Sequence, residues 1–299
     1  MPVLNLTVTP EDIRPAQSGR SLNAALGRAA ARGDSTAPIV LLLHGYRYSP
    51  LRGPSNPHDS LYATMPCAQS LPRRKGSWPM ALGFRDAETD PGLCLPVGWD
   101  ARGRFAEAFG AAEQVGARLA ALITRLNRQF PARPIHVMAH SLGARVVLAA
   151  MARLPGAMIQ RVILLAPADL ADHAETVLGC PGAQGVEVLQ ISPTENWLFD
   201  RLLEQALRRH PQAGPALGRR PPEAERWVSL TLDSDAELAN LAALGHAVAP
   251  RHHRVCHWSA YLRDGAMDLY SALLTERGPR ALRELAPPRP LASGAPPSP

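Results

Sequence analysis

PIHVMAHSLGARVVLAA (residues 134–150) opens as a strand and closes as a helix, with almost nothing in between. Residues 135–139 read as a buried β-strand, and from residue 142 apolar side chains recur at helical spacing. A chain that passes from one to the other within about two residues must turn sharply. Ala139 and Gly143 are small enough to permit the turn, and Ser141 falls at its apex. There the hydroxyl stands clear of a sheet. The next backbone N–H, that of Leu142, lies at a helix N-terminus, where it can donate to a developing negative charge. A serine hydroxyl is a weak nucleophile near neutral pH unless a base takes its proton, so the stretch asks for a base elsewhere in the chain.

Working outward, strand-like runs at 3–8, 39–43, 93–99, 135–139, 162–165, 186–191 and 227–232 alternate with helical patterns at 105–130, 142–154, 197–209, 236–244 and 258–274. Alternation of this kind predicts βαβ units and an α/β fold with a mainly parallel central sheet flanked by helices. Several strands are apolar at successive positions, as when both faces are covered. The pattern predicts a single domain over residues 1–285. Two Pro- and Gly-rich insertions, about 46–91 and 208–225, are too long for ordinary connections and are expected to cover something. The Pro-rich tail, 286–299, is expected to be disordered.

The composition limits the alternatives. With 299 residues, 46% hydrophobic and 19% charged, the chain can bury a large core. The N-terminus lacks a basic segment followed by an apolar one, and no run reaches the roughly 18 apolar residues of a membrane helix. No membrane span and a cytoplasmic location are therefore expected. Cys67, Cys94, Cys180 and Cys256 are too scattered for a redox pair or a zinc site and read as thiols. The net charge of +6 comes almost wholly from arginine, Lys75 being the lone lysine. The basic clusters at 73–75, 208–209 and 219–220 carry no interleaved aromatics, so no nucleic-acid partner is expected. Neither a phosphate-binding glycine loop nor a His-Glu zinc helix is present, so no cofactor and no metal are implied. Nothing in the sequence speaks to oligomeric state.

The AHSLG pentapeptide around Ser141 resembles the nucleophile elbow of the α/β-hydrolase superfamily, G-x-S-x-G, with Ala139 in place of the first glycine. The run APIVLLLHGYRYSP resembles the same superfamily's oxyanion loop, with a buried strand ending in His44 and Gly45. The resemblance implies an α/β-hydrolase fold and a serine hydrolase acting on a small-molecule acyl substrate, a carboxylic ester or thioester. Ser141 would be the nucleophile, and the backbone amides of Tyr46 and Leu142 would hold the oxyanion. His44 itself reads as a structural hydrogen-bonding residue.

The superfamily's order of nucleophile, acid and histidine directs attention downstream. Among His173, His210, His246, His252, His253 and His257, the last is preferred, because RVCHWSAYL sets it just before a helix near the end of the domain. His252 and His253 flank it. Glu195, the first carboxylate beyond the strand in VEVLQISPTENWLFD, is the expected orienting acid. Asp200, Asn196 and Asp169 remain open for that role. Trp99 and Asp100, after a central strand, would either line the pocket or pack its loop. A non-catalytic member of the fold, binding a ligand or a partner protein, is the alternative, motivated by Asn196 standing where an aspartate is expected.

Overall fold

The computed structural model describes residues 3–9, 11–17, 19–31, 34–64, 76–84, 92–275 and 281–286. The tail after residue 286 and Cys67 lie outside the described residues, as do parts of the first insertion. In chain order the strands are β1 Leu6–Val8, β2 Ile13–Pro15, β3 Ile39–Leu43, β4 Leu93–Gly98, β5 Ile135–His140, β6 Arg161–Leu165, β7 Glu187–Ile191 and β8 Trp227–Leu230. The helices are α1 Leu22–Ala30, α2 Trp78–Ala81, α3 Phe105–Gln129, α4 Gly143–Met151, α5 Ala171–Leu178, α6 Trp197–Ala206, α7 Asp235–Ala243, α8 Ser259–Leu262 and α9 Ala266–Leu274.

Among the described residues the strands form one sheet in the order β2-β1-β4-β3-β5-β6-β7-β8, parallel except for the β1–β2 pair at one edge. Every residue of β3, β4, β5 and β6 is buried, because helices cover both faces. Helices α1, α3, α4 and α5 bury one face against Leu41, Leu43, Val137 and Leu164. The opposite face packs α2, α8 and α9 against Val40, Leu42, Met138 and Ile163. This is the expected three-layer α/β architecture.

The strand order places the site. From β3 the chain steps to β4 on one side and then to β5 on the other, so direction reverses between β3 and β5. In open parallel sheets a crevice opens outside the carboxyl ends of the strands at such a reversal. Leu43 pairs with Ala139 there, which brings the segments after β3 and β5 together.

Three differences from the sequence reading have local causes. The edge strand β2 is only three residues long, too short for a period to show. Helices α1 and α5 are short and bury Leu22, Ala25, Leu26 and Ala171, Ala174, Val177, so that half of their combined apolar signal is alanine and the periodicity is weak. The helix expected over 258–274 breaks into α8 and α9. Arg263 is extended, and Gly265 adopts φ +80 against the Ala247 carbonyl oxygen, where no side chain fits.

Candidate active site

Ser141 leaves the end of β5 at φ +53, in the left-handed region that costs a non-glycine residue about 1–2 kcal/mol. Its backbone offsets that strain. The Ser141 N–H donates to the Leu165 carbonyl at 2.9 Å, and its own carbonyl accepts from Ala144 and Ala168, each at 3.0 Å. Helix α4 starts immediately after, and all its residues are buried. Gly143 makes this possible: a Cβ there would lie 2.7 Å from the carbonyl oxygens of both Leu43 and His44. Gly45 approaches just as closely from the β3 side, where a Cβ would lie 2.6 Å from that of Ser141 and 3.1 Å from its Oγ.

The loop carrying Gly45 is held by His44. Its Nδ1 donates to the Gly45 carbonyl at 2.8 Å, and its Nε2 accepts the Trp99 backbone N–H at 3.1 Å. The Trp99 ring stacks on the imidazole with centroids 5.6 Å apart, and its indole N–H donates to the His44 carbonyl. One ring nitrogen donates and the other accepts, so the imidazole is neutral. Burial pushes its pKa down to about 3, in accord with that tautomer. Trp99 therefore packs the loop. Asp100 is exposed and caps the Arg102 N–H. Tyr46 donates its hydroxyl to the Gly103 carbonyl at 2.6 Å and sets its ring edge-on to Phe105.

Across from Ser141 stands His257, which precedes α8. Its Nε2 lies 2.8 Å from Ser141 Oγ, and its Nδ1 lies 2.7 Å from Asn196 Oδ1. The Asn196 amide also donates from Nδ2 to Asp200 Oδ1 at 3.0 Å, which leaves Oδ1 for the imidazole. His257 Nδ1 thus carries the proton and Nε2 faces the serine hydroxyl as acceptor. Phe199 stacks on the ring at 4.4 Å, and His140 donates from Nε2 to the His257 carbonyl at 3.0 Å. The insertion contributes Trp78, buried edge-on to His140 and Tyr261.

The structure places Asn196, not Glu195, against His257. A tight turn, Thr194–Asn196, follows β7 and aims the two neighbours differently. Glu195 is buried, and its carboxylate is taken up by Arg263 at 2.6 Å and by the His253 N–H at 2.9 Å. Arg263 also holds Asp233 at 2.6 Å. Since the Glu195 carbonyl accepts from the Cys256 N–H, this residue braces the loop that presents His257 rather than the imidazole itself. Asp169 is buried elsewhere, bonded to Arg145 at 2.9 Å and His173 at 2.6 Å. His252 and His253 line an open groove with Trp197 and Arg251. His210 meets Phe109 edge-to-face, with ring centroids 5.5 Å apart. His140 escaped the sequence reading: its only signal is its place inside the elbow. Among the described residues no cluster of His, Cys, Asp and Glu could hold a metal ion.

A family model described as "Alpha/beta hydrolase of unknown function (DUF900)" matches residues 80–193, a span that includes the elbow and ends short of Asn196 and His257. Comparison with curated proteins gives no match. Similar solved structures include TT1662 from Thermus thermophilus, at 16% identity over 65% of this chain and 79% of that one, with a TM-score of 0.36. An acetyl xylan esterase is 13% identical over 52% of this chain and 83% of its own, TM-score 0.30. The cutinase of Trichoderma reesei, in complex with a phosphonate inhibitor, is 16% identical over 49% and 60%, TM-score 0.24. The sheet order and the strained serine between β5 and α4 give the chain an α/β-hydrolase fold, and the stretch that carries the elbow is similar to an α/β-hydrolase family.

Proposed function

We propose that the protein is a serine hydrolase that cleaves a carboxylic ester or thioester through an acyl-enzyme on Ser141. The observation that carries this reading is the continuous chain from Ser141 Oγ to His257 to Asn196, with both bonds under 3 Å. In the first half-reaction His257 Nε2 takes the hydroxyl proton as Ser141 Oγ bonds to the substrate carbonyl carbon. The carbonyl oxygen becomes an oxyanion held by the Tyr46 and Leu142 amides. Collapse expels the alcohol or thiol, which leaves with the proton from His257. Water then enters, gives a proton to His257 as it attacks the acyl carbon, and releases the acid as the proton returns to Ser141. Every proton moves through the one imidazole, so no cofactor enters the scheme.

An acyl chain suits the surroundings. Phe199 lies on the imidazole, and Val255, Trp258 and Leu262 remain partly exposed on the same loop and helix. No described helix is long and apolar enough to cross a membrane. We read the setting as cytoplasmic and the substrate as a small molecule. Hydrolysis of p-nitrophenyl esters of increasing acyl length tests the reaction. Turnover is expected for the parent, with losses of about 10²- to 10⁴-fold in Ser141→Ala and His257→Ala. Asn196 favours one other reading, a ligand-binding protein without turnover. That reading gains if no ester is cleaved and Ser141→Ala behaves as the parent does.

A further inference from the structure

The hydrogen-bonded chain at the site ends on a neutral amide, and one helical turn further along α6 lies the group that fixes it. Asp200 Oδ1 accepts from Asn196 Nδ2 at 3.0 Å. The carboxyl group is buried at 6% exposure, and Gly218 presses against it: a Cβ there would lie 2.7 Å from Oδ1 and 3.0 Å from Oδ2. Gly218 belongs to the 208–225 insertion. That segment is anchored by Arg219, which holds Glu204 at 2.7 Å, and by Gln212, which accepts from Arg145 at 3.1 Å.

An ionised carboxylate can only accept, so it takes the NH₂ end of the amide and leaves the oxygen end for His257. A flipped amide would set two donors against each other at His257 Nδ1, with the imidazole held in the wrong tautomer or turned away. We propose that Asp200 is a positioning residue for the reaction at Ser141, acting through Asn196, so that a carboxylate, an amide and an imidazole together do the work of a directly bonded acid and histidine. The carboxylate also polarises the amide, and the imidazolium formed during turnover is then stabilised through it. This inference rests on the hydrolase reading of Ser141.

The surroundings make the relay depend on pH. Burial, and then Glu204 on the same helix, push the Asp200 carboxyl up to about 7, while Arg219 and the Asn196 amide pull it down. Its charge therefore appears as pH rises through neutrality, and turnover is expected to rise with it. Such a carboxylate is costly to the fold when ionised, because its pKa is raised above that of the unfolded chain.

Asp200→Asn, Asp200→Ala and the exchange Asn196→Asp with Asp200→Asn separate positioning from structure. With a p-nitrophenyl ester, Asp200→Ala is expected to lower kcat about 10²-fold with KM little changed, the cost of a misplaced reacting group. Asp200→Asn is expected to lower kcat less and to flatten the rise through neutral pH. At alkaline pH its thermal midpoint should be no lower than the parent's. The exchange is expected to restore kcat, with a carboxylate against His257 and an amide donating from behind. Parental kcat and pH profile in both single variants would overturn the proposal, as would a kcat that falls only in step with lost stability. If the parent cleaves no ester, the hydrolase reading fails, and the His257 Nδ1–H proton resonance decides the role of Asp200. A signal sharp in the parent and broadened in Asp200→Ala supports positioning, and equal signals overturn it.

Discussion

At the scale of single residues, the crevice between β3 and β5 is tight enough that one methyl group matters. Gly45→Ala would place a Cβ 2.6 Å from that of Ser141, and the loop must retreat to make room. If the Tyr46 amide holds the oxyanion as proposed, its displacement is expected to lower kcat about 10²-fold in protein that is still folded at the assay temperature, beyond the overpacking cost of about 1–3 kcal/mol read in the thermal midpoint. An unchanged kcat would remove that amide from the scheme. The meeting of Ser141 and His257 is legible in the sequence because each has a local signal: a hydroxyl between small residues at a strand–helix turn, and a histidine ahead of the last long helical pattern. The partner of His257 carries no such signal. Glu195, Asn196 and Asp200 lie within six positions. Which of them faces the imidazole depends on the dihedral angles of a three-residue turn and on the separate pairing of Glu195 with Arg263. Formal charge favoured Glu195, and the tertiary ion pair took it.

Among elements, the decisive contact is α4 seated beneath the ends of β3 and β5. Gly143→Ala would bring a Cβ to 2.7 Å from two backbone carbonyl oxygens, neither of which can swing aside as a side chain would. Overpacking of this kind typically costs about 1–3 kcal/mol, measurable as a lower midpoint in urea with an unchanged slope. Gly116 on α3 has the same function on the outer side of α4, where a Cβ would meet that of Ala149 at 2.6 Å. The central strands were legible as unbroken apolar runs, and the long helix α3 because its burial has a period. Those that escaped are short or bury alanine, as in β2, α1 and α5. The break between α8 and α9 was hidden for another reason: a lone glycine is tolerated in a helical pattern, and only the Ala247 carbonyl, distant in sequence, demands the turn.

For the molecule as a whole, buried histidines set the response to acid. Burial lowers His44 to about 3, His58 to about 4 and His136 to about 3, and neither ring nitrogen of His136 has a hydrogen-bond partner among the described residues. Each pKa is depressed from its unfolded value of 6.5, so the unfolded chain binds the extra proton as pH falls below that value. Stability is then lost at about 1.4 kcal/mol per pH unit for each histidine until the folded pKa is passed. Asp200 acts in the opposite sense, since its raised pKa favours the folded state as pH falls from about 7 towards 3.8. Three groups outweigh one, so denaturant midpoints are expected to drop steeply between about pH 6 and pH 4, and less steeply when His136 is replaced by Leu. All of the proposed chemistry turns on the reactivity of the Ser141 hydroxyl. It is tested most directly by treating the protein with a fluorophosphonate and locating the adduct by mass spectrometry. One stoichiometric phosphonyl group is expected on Ser141, formed far more slowly in His257→Ala and absent from Ser141→Ala. A folded parent that stays unlabelled at high probe concentration, or labels at another residue, would contradict the proposed chemistry.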